Sequence, residues 1–193
     1  MRVPLAIGWL FVVLALSARP PARLPALSAQ EPVKAHVMGD PLPGRDAPAF
    51  SLPYLTAEGP GPVDQPFKLK AELGRVVVLV FVPGLTDSAA VTLVRTFSSQ
   101  ADSLFAGDVV VAAVTSTGAG RLEAPARTLG VQFKVLPDST EGVRRMYGVT
   151  RGSMAAYVIN PLGRVSWRNL DLNPYARTTY TTIRDAVRKA RQG

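Results

Sequence analysis

Two hydroxyls and a carboxylate crowd one short stretch of this chain, where Thr86, Asp87 and Ser88 follow Pro83 and Gly84 directly after an apolar run. A serine or threonine becomes a nucleophile only with a base beside it. The sequence holds one histidine, His36, far upstream in a proline-rich segment, so hydrolysis through Ser88 or Thr86 lacks its base. Each of the three residues also suits the N-cap of a helix, because a short side-chain oxygen accepts from the backbone N–H groups that a helix start leaves unpaired. Those N–H groups would otherwise favour an anion or a small polar ligand at Thr86 and Ser88. The Asp87 carboxylate opposes an anion there, and capping is the first reading.

No cysteine occurs among the 193 residues. Disulfides, thiolate metal sites and thiol redox chemistry are thereby excluded, and packing alone must hold the fold. One histidine without a carboxylate cluster makes no metal site. Gly118-Ala119-Gly120 is a turn that lacks the strand–GxxxxGK–helix setting of a phosphate loop. No cofactor is expected.

The elements that position this stretch follow from hydrophobic period. Val76 to Val82 is an unbroken apolar run rich in β-branched residues, too short for an ordinary helix, and reads as a strand buried on both faces. Beyond the loop, Ala90, Leu93, Val94, Phe97, Ala101, Leu104 and Phe105 fall on one helical face. A second apolar run, Val109 to Val114, completes a βαβ unit, which makes the two strands parallel neighbours in one sheet. In such sheets ligands sit at the carboxyl ends of strands, which places the Pro83–Ser88 loop and the Ser116–Gly120 loop at the edge where a site belongs. Further on, Leu122–Leu129 reads as a short helix with Pro125 in its first turn and Gly130 as its C-cap. Asp138 and Glu141 have capping-box spacing for a helix over Val143–Tyr147. Ala155–Asn160, Pro161–Gly163 and Arg164–Trp167 read as a hairpin, and Thr178–Arg191 as a helix burying Tyr180, Ile183, Val187 and Ala190.

Strand, Pro83, Thr86 and helix start resemble the peroxidatic loop of the peroxiredoxins, the alkyl hydroperoxide reductase/thiol-specific antioxidant branch of the thioredoxin-like (redoxin) superfamily. Gly44 to Leu52, with Ala47-Pro48-Ala49-Phe50, is similar to the family's N-terminal pattern. Leu136-Pro137-Asp138 followed by Tyr147-Gly148-Val149, and the Pro161-Leu162-Gly163 hairpin, are similar to two later motifs. The resemblance spans residues 44–190 and implies a thioredoxin-like α/β fold, a central mixed sheet flanked by helices. It implies that the reactive cysteine of the family falls at about Ala89, or at Ser88 if the loop is one residue shorter, and its site arginine at about Met154. Arg151 reaches the loop only if the intervening chain folds back. A chain with alanine and methionine at those places keeps a degenerate peroxidatic site of Pro83, Thr86, Ser88, Ala89 and Met154 and no catalytic residue.

Hydrophobic residues make up 47% of the chain and charged ones 19%, ordinary values for one globular domain. Met1-Arg2, the apolar run Val3–Leu16 and the small residues after it match a signal peptide over 1–29 better than a bilayer span of roughly 20 residues. An uncleaved anchor is the alternative. Residues 30–43 read as a Pro/Gly-rich linker, and 44–193 as the domain. The net charge of +8 falls by the three arginines of residues 1–29 to +5, scattered and not interleaved with aromatics, so nucleic acid is not an expected partner. These readings converge on an exported, periplasmic or extracellular, cysteine-free pseudoenzyme. It would act as a binding or assembly partner of another envelope protein, or as a homodimer, with membrane contact only through an uncleaved leader. The alternatives are an antioxidant oxidoreductase whose thiol a partner supplies, and a hydrolase using Ser88 or Thr86.

Overall fold

The computed structural model describes residues 39–100 and 108–192. The leader, most of the expected linker with His36, and Ala101, Leu104 and Phe105 lie outside the described residues.

Seven strands form one mixed sheet. β5 (Val76–Val82), β6 (Val109–Thr115) and β7 (Lys134–Pro137) are parallel, whereas β8 (Ala155–Ile159) runs antiparallel to β5 and β9 (Val165–Asn169) antiparallel to β8. The hairpin β2 (Leu55–Thr56) and β3 (Gly59–Pro60) extends the sheet beyond β7, giving the order β3-β2-β7-β6-β5-β8-β9. A separate two-stranded ribbon joins β1 (Ser51–Leu52) to β4 (Phe67–Lys68).

The continuous apolar strands follow from a sheet covered twice. Along β5 alternate side chains point to opposite faces. Val76, Val78, Val80 and Val82 enter a core with Leu93, Val94 and Phe97 of α1 (Ser88–Ser99), Ala126 of α2 (Glu123–Leu129) and Ile183, Val187 and Ala190 of α4 (Arg177–Ala190). Val77, Leu79 and Phe81 enter the other core, with Phe67, Tyr147 and Tyr157. The expected helical faces are the buried ones as far as the described residues run, and Tyr180 packs at the edge of the first core.

Gly130 ends α2 in the left-handed conformation, φ 59°, as expected of a glycine C-cap. The capping box does not form. Helix α3 (Gly142–Met146) starts after Glu141, which is itself left-handed at φ 57° and makes no side-chain cap. The Asp138 carboxylate instead reaches two residues into α3 and accepts from the Arg144 backbone N–H at 2.8 Å. A box requires an extended residue at the cap, and the residue there is the left-handed Glu141.

Packing also begins upstream of Gly44. Asp40 pairs with Arg168, and Gly44 N–H donates to the Val165 carbonyl at 2.7 Å while Val165 N–H donates to that of Arg45 at 2.9 Å. These residues lie along the start of the edge strand β9 and pair backbone groups that an open edge leaves unmet.

Tyr147 and Tyr157 are fully buried and packed edge to face, 5.0 Å between centroids. Tyr147 OH donates to the Pro48 carbonyl at 2.9 Å and Tyr157 OH to the Tyr147 carbonyl at 2.5 Å. Burial pushes both phenols above their ordinary pKa, and Tyr157 adds to the shift of Tyr147. A folded-state pKa raised above the unfolded value contributes stability that is complete below the unfolded pKa, about 10 for tyrosine, and is lost as pH rises toward the folded one. Chemical denaturation between pH 8 and 12 should therefore show stability falling above about pH 10. Tyrosinate absorbance from these two residues should appear with unfolding and not before it, and Tyr157→Phe should flatten the slope.

Candidate functional site

The loop that links β5 to α1 is pinned from three sides. Pro83 is half-buried, and its carbonyl accepts from the hydroxyls of Thr115 and Ser116, each at 3.2 Å, which ties the loop to the end of β6. A side chain at Gly84 would put its Cβ 2.9 Å from Thr117 Oγ1, so glycine permits this close approach of the two loops. Leu85 is buried. The chain then turns out, leaving Thr86, Asp87 and Ser88 exposed.

Asp87 is the N-cap of α1. One carboxylate oxygen accepts from both Ala89 and Ala90 N–H at 3.0 Å, and the Asp87 carbonyl takes Val91 N–H. The helix-start donors that could have met a ligand at Thr86 and Ser88 are thereby largely used. Ser88 Oγ lies 3.5 Å from the Tyr175 hydroxyl, a long contact between two hydroxyls. Ala89 is half-buried and packs with its methyl against the first core. Met154 is buried in that same core, at the start of β8. Among the described residues, no group of three or more His, Asp or Glu could hold a metal ion.

Beneath the loop sits an arginine that sequence reasoning missed. Arg144 is 1% exposed, the largest fully buried side chain among the described residues. Its Nη2 donates to the Val82 carbonyl at 2.8 Å, one residue before the loop, and its Nη1 to the carbonyls of Thr150 at 3.0 Å and Ser153 at 2.9 Å. The guanidinium lies 6.0 Å from the Phe81 ring centroid. Burial lowers its pKa from the ordinary value while the Glu141 and Asp138 carboxylates oppose the shift. Arginine remains protonated in proteins, so the group stays cationic. Its five donors in a fixed fork explain why it can serve three carbonyls at once. The sequence did carry a trace of it: positions 143, 144 and 147 share one helical face, and Val143 and Tyr147 are apolar.

Arg151 does fold back. Ser153 N–H donates to the Thr150 carbonyl at 3.1 Å, closing a turn at Thr150–Ser153, and Arg151 Nε meets Glu141 Oε1 at 3.1 Å. It lines an open cleft with Thr86, Ser116, Thr117 and Arg121. The cleft reaches Thr86 but not Ser88 or Ala89: Ala89 and Met154 belong to the first core, and Ser88 is exposed at the helix start.

The mixed sheet with this loop and helix defines a thioredoxin-like protein. The sequence profile of the AhpC/TSA family matches residues 43–168, and the chain belongs to that family. No curated protein matches the sequence. Solved structures share the fold at low identity. A thiol:disulfide interchange protein DsbE of Chlorobium tepidum is 20% identical with a TM-score of 0.65, over 78% of this chain and 99% of that one. Peroxidoxin BcpB of Mycobacterium tuberculosis is 17% identical with a TM-score of 0.65 over the same shares. The Plasmodium vivax 2-Cys peroxiredoxin is 16% identical with a TM-score of 0.64, over 78% and 98%. At such identities the likeness concerns the fold alone.

Arg144→Met keeps the bulk of the side chain and takes a donor from the carbonyls of Val82 and Ser153, while that of Thr150 keeps the Ser153 N–H and hydroxyl. Each buried unmet group costs roughly 1–3 kcal/mol, so urea denaturation should show a loss of at least about 2 kcal/mol, with Arg144→Lys recovering only part of it. Asp87→Ala should cost about 1 kcal/mol, and Asp87→Asn much less, since asparagine caps nearly as well.

Proposed function

We propose that this protein is a non-catalytic member of its family, a binding or assembly partner exported to the cell envelope. The observation that carries the reading is chemical: the chain has no cysteine, and a core-facing alanine methyl stands where the resemblance puts the reactive thiol. Thiol peroxidases attack peroxide with a thiolate that becomes a sulfenic acid, a step alanine cannot perform and a serine hydroxyl cannot replace, since its oxygen neither ionises readily nor cycles through reversible oxidation states.

The surroundings support the same reading. Met154 offers no cation where the resemblance puts one, Arg144 is committed to three carbonyls, and Asp87 holds a carboxylate at the helix start. Hydrolysis through Ser88 is disfavoured because its hydroxyl meets the Tyr175 hydroxyl and no histidine or carboxylate among the described residues. The apolar leader, Val3–Leu16, is the support for export.

Purified full-length protein, given hydrogen peroxide or an organic hydroperoxide with a thioredoxin-type reductant, should show no consumption above the protein-free rate. Turnover by the pure protein would contradict the reading. Turnover that arises only on adding a cysteine-bearing partner, and is lost when that partner's thiol is blocked, would favour the reading in which the thiol is supplied in trans.

A further inference from the structure

The cleft beside the loop has a chemistry of its own. It encloses about 550 Å³ between Leu85 and Thr86 on one side, Ser116, Thr117, Gly120, Arg121 and Ala124 on another, and Arg151 on a third. Two guanidiniums and three hydroxyls line it, and no carboxylate is among the lining residues. The hydroxyls are not equivalent. Ser116 spends its proton on the Pro83 carbonyl, whereas Thr86 and Thr117 donate to no group among the described residues. Arg121 likewise has no ion pair or side-chain hydrogen bond there.

Arg151 is an exposed side chain, and its Nε pairs with Glu141, the one residue other than glycine with a positive φ among the described residues. A non-glycine residue in that region is strained, and such strain collects at functional sites, where the surrounding structure over-determines it. The Nε contact leaves both Nη groups without a partner among the described residues. Asp87, the carboxylate that counts against an anion at the helix start, is turned to its own cap and is not part of the wall.

We propose that this cleft binds a phosphoryl group, inorganic phosphate or the phosphate of a small monoester, through Arg121 and Arg151 with the Thr86 and Thr117 hydroxyls as further donors. Guanidiniums and hydroxyls reaching in from three segments of the chain suit a tetrahedral dianion, whereas the bidentate fork of a single guanidinium matches both oxygens of a planar carboxylate. The inference deepens the non-catalytic binding reading and rests on it only in that no reaction follows binding. Peroxide turnover tests that reading, and the titration below tests this one.

The full-length ¹⁵N-labelled protein is titrated with inorganic phosphate, glycerol 3-phosphate and acetate at constant ionic strength, following backbone amide shifts. Phosphate should produce saturable shifts at Thr86, Thr117, Arg121 and Arg151. Arg121→Ala and Arg151→Ala should each weaken it by about tenfold, the scale of one charge-assisted hydrogen bond, while Arg188→Ala, on the exposed face of α4, leaves it unchanged. Tighter binding of glycerol 3-phosphate would identify a monoester as the ligand, and equal or weaker binding the free anion. Shifts that fail to saturate, that survive both arginine substitutions, or that acetate reproduces at the same concentration would overturn the proposal.

Discussion

A cation buried beneath the β5–α1 loop is the constraint on which the site depends. Taking a guanidinium out of water costs several kcal/mol unless its donors are met, and Arg144 meets the cost with three carbonyls from two places in the chain, the last residue of β5 and the Thr150–Ser153 turn. Helix α3, which carries Arg144, is itself tied to the end of β7 through Asp138. One side chain thus fixes the relative position of β5, α3 and the turn leading into β8. The loop above it adds one anchor of its own, the buried Leu85 side chain in the first core.

This arrangement separates scaffold from chemistry. Family resemblance brings the expectation of a thiolate stabilised by a nearby cation and by helix-start N–H groups. Here the cation beneath the loop is engaged with carbonyls, the residue at the start of β8 is a buried methionine, and the N–H groups of Ala89 and Ala90 are taken by the Asp87 carboxylate. The Asp87 carboxylate would disfavour a thiolate even if a sulfur were present, and neither Arg144 nor Met154 offers it a free donor. What remains open to solvent is the neighbouring cleft, lined by Thr86, Arg121 and Arg151.

Much of the fold was legible because it is written locally. Val76–Val82 and Val109–Thr115 are apolar at every position but the last of β6, a pattern that only a strand covered on both faces supports, and the helices announce themselves by period, by Asp87 at one start and by Gly130 at one end. The parts that stayed hidden are tertiary. Only the helical face shared with Val143 and Tyr147 sets Arg144 apart from its neighbour Arg145, and that trace names none of its partners: one is buried and the other exposed because the first faces the carbonyls of Val82, Thr150 and Ser153. The pairing of Asp40 with Arg168 spans most of the domain, and the return of Arg151 to Glu141 depends on a left-handed residue that sequence reads as a helix cap.

The account holds that the site has lost its electrostatics along with its sulfur, and restoring the sulfur tests this most directly. In Ala89→Cys, with Ser88→Cys covering the other register, the thiol pKa would be measured from thiolate absorbance and its rate with hydrogen peroxide followed at pH 7. The account predicts a pKa at or above the ordinary value of about 8.5 and a rate no faster than that of a free thiol. A pKa near or below about 7 with rapid peroxide reduction would contradict it, showing a peroxidatic environment still intact around the missing residue.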